Sequence, residues 1–250
     1  MNIVVCVKRV AATDTKIKVG ASGKSIDPAG VEYVLNPYDE FAVEEALKTK
    51  EAAGAGSVTV VCLGGADAQK ELRTVLAMGA DKAVLLKDGG RELDAYAVAE
   101  TLAAWIRTVP HDVVFLGKQA VDMDNNQMAP RLAALLGLPC VTEAVKLTRE
   151  GDTFVVERDI EGAREIVRCK LPCVVSTQKG LNEPRYANLK GIMAAKKKPL
   201  EEIDAAAVPP ATTITSLSLP PERSSGMLWK DGAASVAALV DALKNKAKVL

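Results

Sequence analysis

The sequence predicts a mostly parallel α/β sheet with an antiparallel addition and an extended C-terminal arm, on three observations. Up to Leu136, short apolar runs alternate with stretches whose apolar residues recur at helical spacing. After Pro139 the pattern becomes short strands around a turn, Arg149-Glu150-Gly151-Asp152. Beyond Gly180 no window of about 15 residues keeps a core-forming period until the chain's end, and Pro184, Pro199, Pro209-Pro210 and Pro220-Pro221 punctuate it. Strands separated by helices of this length connect through right-handed crossovers, so neighbouring strands run parallel.

Taken in order, Ile3–Val7 is an apolar strand, followed by an irregular polar stretch from Lys8 to about Gly30. Asn36-Pro37 reads as a helix start, with Asn capping and Pro tolerated in the first turn, where its missing N–H has no partner in any case. Ala42, Val43, Ala46 and Leu47 give that helix its apolar face. Ser57–Cys62 is a strand, Gly64-Gly65 a turn, and Ala66–Met78 a helix with Leu72, Val75 and Leu76 inward and Gly79 as its stop. Lys82–Leu86 is the next strand, and Asp94–Thr108 a helix buried through Val98, Leu102, Trp105 and Ile106. His111–Leu116 reads as a buried parallel strand, and Leu132, Leu135 and Leu136 mark one face of a helix stopped by Gly137 and Pro139. Val145–Leu147, Thr153–Glu157, Ile166–Arg168 and Val174–Thr177 are strand-like pieces of the antiparallel addition. A last helix, around Ala234–Lys246, carries Val236, Leu239, Val240 and Leu243 at helical spacing. Its apolar face needs a surface, on its own domain or on another chain. The expected division is an α/β domain over residues 1–180 and an arm over 181–250.

The segment GKQAVDMDNNQM, from Gly117 to Met128, lies between the carboxyl end of a predicted strand and the amino end of a predicted helix. Open α/β sheets bind ligands at such places. The first N–H groups of the helix lack intrahelical partners and carry partial positive charge, which suits a phosphate. The Asp, Asn and Gln side chains suit a ribose or a purine edge. The alternative is an ordinary connection rich in helix-capping residues.

Other chemistries find less support. Lys+Arg and Asp+Glu each number 32, so no global field draws nucleic acid or a membrane surface. No apolar run approaches the ~20 residues that span a bilayer. The strand pattern directly after Met1 leads us to expect no export signal, and the absence of an Arg- and Ser-rich leader no mitochondrial transit peptide. The expected location is the bacterial cytoplasm. The five cysteines are scattered without CxxC spacing, and a lone His111 offers no metal cluster. There is no GxGxxG after the first strand, no GxxxxGK[ST] and no GxSxG. Glu157, Asp159, Glu161 and Glu165 interleave with Arg158 and Arg164, as in a solvated hairpin with cross-strand ion pairs. Lys196-Lys197-Lys198 reads as a solvated face.

Six segments together resemble a known family. VCVKRV near the start, NPYDEFAVEEAL from Asn36, TVLAMGAD from Thr74, GKQAVDMDNNQM from Gly117, VERDIEGAREIVRCKLPCVVST from Val156 and LNEPRYANLKGIMAAKKKP from Leu181 are similar, in order and spacing, to the β subunit of electron-transfer flavoproteins. The resemblance runs from residue 1 to about 248. It implies a doubly wound, adenine-nucleotide-binding, Rossmann-like sheet whose arm wraps a partner subunit. It also implies an electron carrier with no turnover of its own: a heterodimer with an α subunit, which holds most of a shared FAD. Acyl-CoA or related dehydrogenases of fatty acid oxidation would be the donors and a quinone oxidoreductase the acceptor, with no direct membrane insertion by this chain.

The resemblance further implies that this chain holds a structural AMP. Positions matching the family's contacts are Cys6, Asn36, Pro37, Tyr38, Asp39, Leu63, Gly117, Lys118, Gln119, Ala120, Val121, Asp122, Met123, Asp124, Asn125, Asn126, Gln127 and Met128. Asp122, Asn126 and Gln127 are the preferred polar contacts, and the helix start at Asn125–Met128 supplies N–H groups for the phosphate. The arm from Leu181 resembles the family's recognition loop, with Leu189 as the exposed apolar anchor for dehydrogenases and Arg185 and Tyr186 beside it. One leucine in a small pocket contributes ~1.5–3 kcal/mol. Without the resemblance, Leu189 reads as an ordinary packing leucine. Asp159 matches an acidic position that pairs with the α subunit.

Two departures from the family stand out. Thr13 stands where a Tyr near the flavin edge is common, and Ala194 and Ala195 replace part of a lysine pair. Relatives that bifurcate electrons bind a second FAD in place of AMP and use NADH. The Asn125-Asn126-Gln127 loop is closer to the AMP type. A further alternative is a stand-alone nucleotide-binding domain whose arm folds back on its own core.

Overall fold

The computed structural model describes residues 1–222 and 225–250. They form two units, Met1–Ser216 and Leu217–Leu250. The first is built on β1 (Asn2–Val7), β2 (Arg9–Ala11), β3 (Tyr33–Leu35), α1 (Pro37–Ala53), β4 (Ser57–Gly64), α2 (Gln69–Met78), β5 (Lys82–Lys87), α3 (Ala95–Ile106), β6 (Val113–Gly117) and α4 (Met128–Leu136). It continues through β7 (Cys140–Glu150), β8 (Thr153–Ile160), β9 (Ala163–Lys170), β10 (Cys173–Thr177), α5 (Leu189–Ala195) and β11 (Leu200–Asp204).

Nine strands make one sheet in the order β11-β5-β4-β1-β6-β10-β7-β8-β9. Strands from β11 to β7 pair in parallel, and β7, β8 and β9 pair antiparallel. The chain leaves β1 toward β4 and β5, then returns to the opposite side of β1 to lay down β6. Strand order therefore reverses between β1 and β6, and the crevice beyond their carboxyl ends is the switch point of a doubly wound sheet.

Alternation along each strand sends side chains to two faces. In β1, Ile3, Val5 and Val7 join the core under α1 and α2, while Val4 and Cys6 join the core under α3 and α4. Both faces are covered, which is why the strand reads as an unbroken apolar run. Phe115 of β6 and Phe154 of β8, both fully buried with ring centroids 6.2 Å apart, tie the parallel sheet to the hairpin.

Several expectations change. Within the polar stretch after β1, Arg9–Ala11 pairs antiparallel with Tyr33–Leu35, and Val19 bridges Ile26. Asn36 precedes α1 but makes no side-chain cap. The helix expected from Ala66 begins as a 3-10 turn, Ala66–Ala68, before α2. The arm is not free of core-forming elements. α5 packs on α2 so closely that a Cβ at Gly191 would lie 2.4 Å from the Ala77 carbonyl, and Leu200–Asp204 adds to β5 in parallel. Periodicity missed β11 because Glu201–Asp204 is exposed and the strand is held by backbone hydrogen bonds. Lys198 does not belong to a solvated face, since its Nζ donates to the carbonyls of Leu76 (3.0 Å) and Ala80 (2.7 Å) at the end of α2. The hairpin carboxylates pair across strands as expected, Arg158 with Glu165 and Arg164 with Asp159.

In the second unit, a 3-10 turn (Gly232–Ser235), α6 (Val236–Asp241) and a π-helical segment (Ala242–Ala247) replace the single helix expected there. Leu228, Val236 and Val240 are exposed. Among the described residues, no helix is long and apolar enough to cross a membrane.

Candidate functional site

A cavity of about 230 Å3 opens at the switch point. Cys6, Leu63 and Leu116 from the ends of β1, β4 and β6 form its apolar floor, and Val98 and Leu102 of α3 add to its wall. The N-termini of α3 and α4 meet it, α3 capped by the Asp94 side chain and α4 without a side-chain cap, so the first N–H groups of α4 are the ones open to a ligand.

The loop after β6 is fixed from below. Asn36 is buried, and its amide spans the loop, Nδ2 donating to the Gln119 carbonyl (2.9 Å) and Oδ1 accepting from Val121 N–H (3.1 Å). The side chain expected to cap α1 instead clamps the loop. Asp39, also buried, accepts from Lys8 N–H (2.8 Å) and Gly117 N–H (3.0 Å). Burial pushes its carboxyl up to about 7, against the pull of those N–H bonds. Gly117 is required here, because a Cβ would sit 2.5 Å from Asp39 Oδ1 and 2.7 Å from the Tyr38 backbone.

Above this base, Asp124 N–H bonds the Ala120 carbonyl (2.9 Å), and Gln119 Nε2 bonds Asp124 Oδ1 (2.7 Å). Asp124 (φ 50°) and Asn126 (φ 46°) hold left-handed conformations. Such conformations are uncommon in residues other than Gly and are maintained by surrounding bonds. Asn126 Nδ2 donates to Glu143 Oε1 (3.1 Å). Gln127 Oε1 accepts from Arg131 Nη2 (2.9 Å) and leaves the amino end of α4 without a side-chain cap. Lys8 Nζ pairs with Asp122 at 2.7 Å.

Of the residues singled out in the sequence, the cavity gathers Cys6, Asn36, Asp39, Leu63, Gly117–Ala120, Met123 and Asn125–Met128. Pro37 and Tyr38 open α1 beside it, while Val121, Asp122 and Asp124 belong to the loop but do not line the space. Lys8, Leu93, Asp94 and Ala95 line it without having been singled out. Asp94 had a legible signal, an acidic residue just before an apolar helical period. Its Oδ1 caps α3 through Ala97 N–H (2.9 Å), and its Oδ2 accepts from Thr212 N–H (2.8 Å). Those bonds, led by Ala97, hold its carboxyl below the usual range. The Cys6 thiol is pushed far upward by burial and offers no nucleophile.

A second surface lies on the arm. Arg185 grips α1, Nε to Glu44 (2.8 Å) and Nη1 to Glu51 (2.7 Å), and Asn182 Nδ2 reaches Glu45 (2.9 Å). Asn188 Oδ1 caps α5 through Gly191 N–H (2.8 Å). On this base Tyr186 (97% exposed), Leu189 (82%) and Met193 (64%) stand in solvent.

Fold and crevice define a doubly wound α/β protein with a polar-lined pocket over an apolar floor at its switch point. A family profile described as Electron transfer flavoprotein domain matches residues 24–208. An electron transfer flavoprotein subunit beta of Bacillus subtilis is 43% identical over all of both chains. That of Bradyrhizobium diazoefficiens is 42% identical over all of both, and that of Mus musculus 39% over 91% of this chain and 92% of its own. The chain belongs to the electron transfer flavoprotein family, among its β subunits.

Proposed function

We propose that the chain pairs with an α subunit, holds one AMP in the switch-point crevice as a structural element, and offers the arm surface to partner dehydrogenases. The observation that carries this reading is the crevice itself, with two helix N-termini and an amide-rich loop around an apolar floor. Its residues fit a mononucleotide. The floor and Val98 suit a purine face, Asn126 and Gln119 suit polar edges, and the N–H groups at Gln127 and Met128 suit a phosphate. We favour AMP over the second FAD of a bifurcating, NADH-oxidising subunit because the Asn125-Asn126-Gln127 loop that lines the crevice resembles the AMP type.

FAD, held mainly by the α subunit, supplies the electron chemistry when bound. This chain contributes rigidity and orientation. Asn36 and Asp39 lock the loop to α1, and Arg185 locks the arm to the other end of the same helix. Leu189, Tyr186 and Met193 are a small apolar contact, suited to an acyl-CoA or related dehydrogenase that must bind and release, before electrons pass to a quinone-linked acceptor. The exposed Leu228, Val236 and Val240 in Leu217–Leu250 support a role for that unit in docking on the α subunit. A bacterial cytoplasmic location accompanies the reading.

Co-expression with a cognate α chain tests it. A yellow 1:1 complex that retains FAD through gel filtration is expected, and a colourless monomer with no affinity for the α chain would overturn the proposal.

A further inference from the structure

Glu143 lies outside every segment singled out in the sequence and is the oddest residue in the sheet. Its φ is 61°, a left-handed conformation within a strand. The register explains how this arises. Val175 of β10 faces Val141 of β7 and Thr177 faces Ala144, so β7 carries one extra residue and bulges there. Ser176 Oγ accepts the Glu143 N–H (3.0 Å) that the broken ladder frees. Strain of this kind persists when surrounding bonds hold it, and it clusters where a side chain is being aimed.

Glu143 is aimed at the loop. Oε1 accepts from Asn126 Nδ2 (3.1 Å), and Oε2 lies 3.7 Å from Lys118 Nζ. A carboxylate offers only acceptors, so the amide of Asn126 must turn its nitrogen toward Glu143. The carbonyl Oδ1 is then the group left to face the crevice that Asn126 lines. An asparagine free to flip offers either end of its amide to a ligand, whereas this one holds Oδ1 away from Glu143, available as an acceptor.

We propose that Glu143 is a specificity-determining positioning residue: by fixing the Asn126 amide it makes the crevice read a hydrogen-bond donor on its ligand, an exocyclic amino group or a sugar hydroxyl. This rests on the crevice being a nucleotide site. Glu143 acts through Asn126 and does not itself line the cavity.

The test uses the αβ complex, refolded from its two chains with FAD and equal concentrations of AMP and one analogue, either IMP or 2′-deoxy-AMP. Nucleotide retained after gel filtration is quantified by chromatography. IMP lacks the amino donor and 2′-deoxy-AMP the hydroxyl, so the analogue that is rejected identifies the donor. The natural chain is expected to prefer AMP over one of them by about tenfold or more, as loss of one read hydrogen bond implies. In Glu143→Gly that preference is expected to fall to within about threefold. Glycine adopts φ 61° freely, so this variant's melting temperature should hold or rise. Glu143→Gln offers Asn126 a donor as well as an acceptor, so it releases the amide to turn and is expected to weaken the preference too. An unchanged preference in the glycine variant, or a natural chain indifferent to both analogues, overturns the inference while leaving the nucleotide site intact. Retention of no nucleotide by the natural complex overturns the site reading instead.

Discussion

The loop Gly117–Met128 and the arm Leu181–Asp204 both attach to α1, yet they present opposite surfaces. The loop is tied through its polar groups. Asn36 and Asp39 hold its base, and Glu143 and Arg131 hold its far end, so the groups facing the crevice are those left over from these bonds. The arm spends Arg185 and Asn182 on attachment to α1 and Asn188 on capping α5, and leaves apolar side chains free in solvent. A strained backbone held at its base and far end suits a small polar ligand that stays. Exposed apolar residues on a short, firmly anchored helix suit a protein that comes and goes.

The largest expected effect comes from removing the clamp under the loop. Asn36→Ala strands the Gln119 carbonyl and Val121 N–H, and should lower the stability of the αβ complex by about 2–4 kcal/mol in urea unfolding. Nucleotide retention should fall with it. Gly117→Ala pushes a methyl into Asp39 and the Tyr38 backbone, and should lose about 1–3 kcal/mol by the same measurement. Arg185→Ala tests the other side of the comparison. It leaves Glu44, whose side chain is 6% exposed, without its cation. Because Arg185 is itself 36% exposed, the loss should be about 1–2 kcal/mol. Hydrogen exchange should rise over residues 181–195 while nucleotide retention is unchanged.

Acidity separates the regions as well. The Asp39 carboxyl stands at about 7 in the fold against an ordinary 3.8. Between those values the folded state holds a proton that the unfolded state has released, so this group's contribution to stability falls as pH rises. Urea midpoints compared at pH 5 and pH 7 should show this slope, and Asp39→Asn should remove it. The smallest expected stability change is at Leu189. Leu189→Ala should leave the midpoint within about 0.5 kcal/mol, while weakening dehydrogenase binding about tenfold in titration calorimetry. A large loss of stability there would make Leu189 a packing residue and erase the contrast.

Most of the parallel sheet was legible because its strands are buried on both faces and its helices on one, so Val61 and Val114 sit in apolar runs bounded by Gly or Pro. β10 is the exception, since Val174–Thr177 was expected in the antiparallel addition and instead pairs in parallel with β6 and β7. The loop after β6 was legible from its position between strand and helix. What escaped is what side-chain burial does not encode. β11 is held by its backbone, β2 and β3 are three residues each, and the Glu143 bulge is visible only as register. Asn36 looked like a cap because its spacing to Pro37 is that of a cap. The backbone groups that claim its amide lie 83 and 85 residues away in the chain.

The central claim is that the crevice between β1 and β6 belongs to a mononucleotide bound for structure, with the flavin on the neighbouring chain. Acid extraction of the purified αβ complex, with every released nucleotide quantified, tests it most directly. One AMP and one FAD per heterodimer is the predicted result, and two FAD with no AMP would contradict it.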